Sequence, residues 1–120
     1  MFLRITLVII IIGICYLSIT PSESLTIIGN DKISHFIAYS ALMFNVGLLT
    51  YLNKPRFIRG VVLSILYGGI IEIIQHFVPG RSMSFLDIVA NTAGVMLGVF
   101  LTMLLYKKIH ALLKVFRLNF

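Results

Sequence analysis

Residues 57–78 read FIRGVVLSILYGGIIEIIQHFV, an apolar run that Pro79 closes and that carries one carboxylate, Glu72, more than a turn inside its end. A helix needs about 20 mostly apolar residues to cross the hydrocarbon core of a bilayer. This run has that length, and proline cannot continue a helix beyond it. Reading outward from it, three further runs have the same character: Phe2–Thr20, closed by Pro21, then Ile33–Leu52 and Phe85–Tyr106, with Asn53–Pro55 breaking the chain between the second run and the third. The chain has 120 residues, of which 59% are hydrophobic and 12% charged. Soluble domains are about half apolar and a quarter charged, and a small one buries only about 60–70% of its surface. These figures exclude a soluble fold and predict an all-α, four-helix transmembrane bundle over residues 1–106, followed by a cytoplasmic tail, 107–120.

The first run has the length of a cleaved signal peptide, but Ser18-Ile19-Thr20 offers no small-x-small cleavage site. Ile12-Gly13-Ile14-Cys15 likewise lacks the small residue that a lipoprotein signal places before its cysteine. The expectation is an uncleaved first helix. Cys15 has no second cysteine to pair with and carries no redox signal.

The net charge of +6 resembles a nucleic-acid signature. In so apolar a chain, basic residues instead sit in loops and set orientation, so no nucleic-acid partner is expected. Arg4, Lys54, Arg56, Arg59, Lys107, Lys108, Lys114 and Arg117 fall on one side, and only Lys32 and Arg81 on the other. The positive-inside rule then puts both termini and the middle loop in the cytoplasm of a cell-membrane protein, with residues 21–32 and 79–84 facing outward. In the tail, Lys107, His110, Lys114 and Arg117 recur at helical spacing opposite Ile109, Leu112, Leu113, Phe116 and Phe120. That pattern is a basic amphipathic helix suited to an anionic leaflet.

Ionisable residues inside spans are costly, so each is a candidate site residue. Asp31, Lys32 and His35 begin the second span, Glu72, Gln75 and His76 end the third, Arg81 lies in the outer loop, and Asp87 and Asn91 begin the fourth. Every polar outlier thus maps to the outer half. Glu72 and Asn91 match in depth, each about 9 Å in at 1.5 Å per residue. Asp31, His35 and Tyr39 step by four and share a face, as do Glu72 with Gln75, and Asp87 with Asn91, Gly94 and Gly98. Ala90-x-x-x-Gly94-x-x-x-Gly98 is a small-residue stripe for close helix approach. The pattern predicts a polar pocket built by three helices and open outward.

Duller explanations stand beside this. Ser84-x-x-Asp87 fits a capping box, and Asn30 and Asp31 can cap the second span. His35 alone reads as an interhelical hydrogen bond, Gln75 and Asn91 as interhelical glue, and Lys32 and Arg81 as headgroup contacts. His76 ranks last. Glu72 resists all of these, because so deep a carboxylate needs a partner, a proton or a cation.

Three motifs in order, Asp31-Lys32-x-x-His35-Phe36-x-x-Tyr39, Glu72-x-x-Gln75-x-x-x-Pro79-Gly80-Arg81 and Ser84-x-x-Asp87-x-x-x-Asn91-x-x-Gly94, resemble the VanZ-like family of small bacterial membrane proteins. The likeness runs from about residue 20 to residue 100. It implies a four-helix membrane protein with these signature residues, but no settled reaction. The family takes its name from an accessory protein of glycopeptide (teicoplanin) resistance, a role that does not transfer automatically but makes a link to glycopeptide susceptibility an expectation to test.

Two functions compete. In the first, the pocket binds or scaffolds a membrane lipid or lipid-linked envelope component, with Lys32 and Arg81 as anion anchors. In the second, an intramembrane enzyme acts on an anionic headgroup. His35, oriented by Asp31, is then the acid or base, and Glu72 and Asp87 supply the second proton-transfer group or hold a divalent cation. Transport, with a homo-oligomer formed through the Gly94 and Gly98 face, is a weaker third. No cofactor is selected by these residues, and metal dependence stays open.

Overall fold

The computed structural model describes residues 1–20 and 31–118, with Asp31 described only as part of its helix. Four helices follow in order: α1 (Phe2–Ile19), α2 (Asp31–Thr50), α3 (Lys54–His76) and α4 (Phe85–Val115). All four are long and apolar enough to cross a membrane, and the chain is a multi-pass membrane protein. The expected residues Pro21, Asn30 and Phe120 lie outside those described, as does the side chain of Asp31.

The boundaries differ from the apolar runs for local reasons. α3 starts a turn before Phe57 because Asn53 caps it, its side chain accepting the Arg56 backbone N–H at 3.0 Å, and Pro55 sits in the first turn where no backbone donor is needed. It ends at His76, two residues short of the run, since the position before Pro79 disfavours the helical region. Gly80, at φ 77°, takes the left-handed turn that starts the return to α4. The tail is helical as expected but is not a separate element. α4 continues unbroken to Val115, 31 residues or about 46 Å of helix.

α2 and α4 pack most extensively, and α1 rests on α2 and α3. The small-residue stripe explains the tight pair. A Cβ on Gly94 would lie 2.5 Å from the Phe36 carbonyl oxygen, and one on Gly98 2.8 Å from that of Ser40. The backbones therefore meet where only glycine fits. Because α2 covers this face within the chain, it is not the open face through which a homo-oligomer was expected to form.

The core has two clusters. One, around Tyr39, Leu42, Met43, Ile71 and Val95, fills the middle. The other joins Leu3, Leu48, Tyr106 and Leu113 at the basic end, so Leu113 of the tail is buried against the bundle. Tyr51 stacks on Tyr106 there, ring centroids 4.5 Å apart. The outward faces stay apolar, with Ile5, Val8, Ile9 and Ile12 exposed on α1 and Met96, Phe100 and Met103 on α4. Such faces suit lipid. Three hydroxyls inside the bundle are satisfied locally, Ser40, Ser64 and Thr102 each donating to the carbonyl four residues earlier, while the buried Tyr39 hydroxyl has no hydrogen-bond partner among the described residues.

Candidate functional site

The N-terminal ends of α2 and α4 and the C-terminal end of α3 lie at one end of the bundle. There the helices bring together His35, Glu72, Asp87 and Asn91, all buried, with Glu72 at 0% exposure and Asn91 at 2%. His35 Nδ1 lies 2.7 Å from Asn91 Oδ1 and 3.4 Å from Glu72 Oε1. The Asn91 amide donates to Glu72 Oε1 at 3.5 Å. With Asn91 so turned, Nδ1–H of the imidazole is the donor and the contacts form one directed chain, His35 to Asn91 to Glu72. The backbone N–H of Ser84 also approaches the Glu72 carboxylate.

Asp87 does not serve as a cap. Ser84 is the N-cap of α4 but makes no side-chain cap hydrogen bond. Asp87 instead turns inward, with Lys32 Nζ 3.8 Å from its Oδ1. Lys32 is 47% exposed and so stands at the rim, while the carboxylate beneath it is almost fully buried. Among the described residues, two carboxylate oxygens, Glu72 Oε2 and Asp87 Oδ1, are buried without a hydrogen-bond partner. An unmade bond of this kind is expensive away from water, and each oxygen calls for a proton, a cation or a ligand donor.

The remaining expected residues separate into two groups. Tyr39 belongs to the site, 1% exposed, its ring stacked parallel to His35 at 6.5 Å. Gly68 makes room for it, since a Cβ there would lie 3.2 Å from both the Tyr39 ring and the Asn91 Cβ. Gln75 and Arg81 face α1 instead. Gln75 donates to the Ser18 carbonyl at 3.3 Å, and Arg81 to those of Thr20 and Leu17 at 3.1 and 3.0 Å. Arg81 thereby satisfies carbonyls that the end of α1 leaves open, where a cation also suits the helix dipole. His76 is exposed against Phe77, outside the cluster.

One polar pair lies elsewhere, contrary to the expectation that all gather at one end. Asn45, deep in α2 toward the basic end, donates to Thr6 Oγ1 at 2.6 Å. An amide in the middle of an apolar run was the signal available for it.

His35, Glu72 and Asp87 each present one ligand atom, all within 4.8 Å of one another, which a divalent ion can use. The imidazole would have to give up its Nδ1–H bond to Asn91 to ligate through that atom. As it stands, the arrangement can accept donors from a ligand or hold a proton between acidic groups.

No solved structure matches the chain. A similar protein, uncharacterised, occurs in fission yeast (Schizosaccharomyces pombe), 32% identical over 108 residues, and the match covers 88% of this chain. The chain spans 65% of that relative's length, and a eukaryotic relative means the fold is not confined to bacteria. The VanZ/LLP1 profile matches residues 4–106, which holds every residue of the buried cluster. The chain belongs to the VanZ/LLP1 family.

Proposed function

We propose that this protein is a membrane-embedded binding module whose His35–Asn91–Glu72–Asp87 cluster recognises the polar part of a lipid or lipid-linked envelope component. One observation carries the reading: two buried carboxylate oxygens, from α3 and α4, lack hydrogen-bond partners among the described residues and lie beside a half-exposed lysine. A headgroup with both hydroxyl or amine donors and a phosphate suits that combination, the donors meeting Glu72 and Asp87 and the phosphate meeting Lys32. Arg81 holds the end of α1 at the rim of the site. Both termini are cytoplasmic on this reading, so the site faces outward; in a Cys15→Ser background, Ser82→Cys should react with an impermeant thiol reagent added to whole cells, and Lys54→Cys should not.

The test is lipid capture. The wild type purified from membranes should carry an enriched headgroup class, identified by mass spectrometry of the bound lipids. Asp87→Glu should retain part of that enrichment, because binding tolerates about an ångström of displacement better than catalysis does. Glu72→Gln and Asp87→Ala should lose most of it. Equal lipid profiles for wild type and Glu72→Gln would sink the reading. Turnover of a lipid extract by wild type but not by His35→Ala would replace binding with catalysis. Where the host is a bacterium, glycopeptide susceptibility on deletion is the cellular readout.

A further inference from the structure

A second feature lies away from this cluster. α1, α2 and α3 diverge enough to leave an apolar groove of about 680 Å³, walled by Leu7 and Ile11 of α1, Leu42 and Val46 of α2, and Leu63 and Ile70 of α3. Its volume falls within the range of roughly 300–1,000 Å³ usual for small-ligand sites. Arg56 and Arg59, at the start of α3, line its other end.

We propose that this groove holds one acyl chain of an anionic phospholipid, with the phosphate on Arg56 and Arg59. Three observations choose that occupant. From Arg59 to Ile70 the groove follows about 17 Å of helix, roughly half of a 30 Å hydrocarbon core, which is the depth of one leaflet. The charge sits only at its mouth, where the leaflet's headgroups lie. Finally, the mouth is purely basic: the acidic residues of the described helices, Asp31, Glu72 and Asp87, all belong to the opposite end. Arg59 Nε donates to the Pro55 carbonyl at 3.3 Å, which braces the side chain, and its two terminal nitrogens can donate to a phosphate. Arg56 and Arg59 are three residues apart and share a helix face, so one phosphate can reach both.

The groove is a different site from the polar cluster, and neither proposal depends on the other. Thr50, Ser64 and Tyr67, the hydroxyl-bearing residues that line it, are satisfied within the protein, by the Val46, Gly60 and Ile11 carbonyls at 2.7, 2.8 and 2.8 Å. The interior therefore asks for hydrocarbon rather than for a polar ligand.

The full chain is reconstituted in phosphatidylcholine nanodiscs containing a trace of phosphatidylglycerol or phosphatidylcholine with a photoactivatable acyl chain. Peptide mapping locates the crosslinks. Phosphatidylglycerol should label the groove walls at Leu7, Leu42 and Leu63 several-fold more than phosphatidylcholine does. The Arg56→Gln/Arg59→Gln double variant should bring the two lipids to near-equal labelling and leave lipid capture at the polar cluster unchanged. Both arginines are exposed, so folding should not suffer; Val46→Phe, which narrows the groove, should lower labelling by both lipids. Equal labelling of wild type by the two lipids would overturn the proposal, as would labelling no denser in the groove than on Met96, Phe100 and Met103 of α4. Crosslinks between copies through the groove walls would overturn it too, assigning the groove to a dimer.

Discussion

At the residue scale the cluster turns on Asn91. Its side chain hydrogen-bonds to both His35 and Glu72, accepting from the first and donating to the second. Asn91→Leu keeps the branched shape but removes the acceptor of the His35 N–H and one donor to Glu72 Oε1, a loss of about 1–3 kcal/mol. Thermal unfolding in detergent should show that loss. Removing both ends of the contact, as Asn91→Leu/Glu72→Leu, should cost less than the two single changes summed, by about 0.5–3 kcal/mol. From the sequence, Asn91 read as ordinary interhelical glue. Its depth matched that of Glu72, which was legible. Which two helices its amide would join was not, because spacing fixes which residues share a face and packing alone fixes which faces meet. Gln75 shows the same limit: it shares a helical face with Glu72 by number, yet its amide reaches α1.

At the scale of elements, the close pairing of α2 with α4 depends on two glycines of one stripe. Gly98→Ala would put a methyl 2.7 Å from the Met43 Cβ and 2.8 Å from a backbone carbonyl oxygen that cannot swing away. Overpacking of this sort costs about 1–3 kcal/mol. Gly13→Ala meets nothing within 4 Å and should leave the melting temperature unchanged, which makes it the control. This stripe was the best-read element of the sequence, because three small residues at a four-residue interval allow close approach and little else. Its partner was not readable: the same stripe suits a second copy or a neighbouring helix, and here α2 takes it. The helix ends were legible to within a turn, since Asn53, Pro55, Pro79 and Gly80 act through local backbone chemistry.

The whole molecule has a polarity that the sequence already held. Apolar runs set the number of spans, and the sidedness of Lys and Arg separates a basic end from an acidic one. α4 joins the two ends without a break, from Asp87 beside Lys32 to Leu113 beside Leu48. An unbroken helix is also a fixed angular ruler. Each residue turns it by about 100°, so the direction of Asp87 and Asn91 dictates the direction of Tyr106 and Leu113 some 20 residues away. One alanine inserted after Phe100 should rotate the far half by about 100° and carry Tyr106 out of its stack with Tyr51. A Tyr51→Cys/Tyr106→Cys pair, crosslinked by a short reagent in the parent, should then fail to link. The two ends of this protein are thus in phase: the helical register that turns the Asp87 carboxylate inward also fixes which way the lysines at the other end of α4 face.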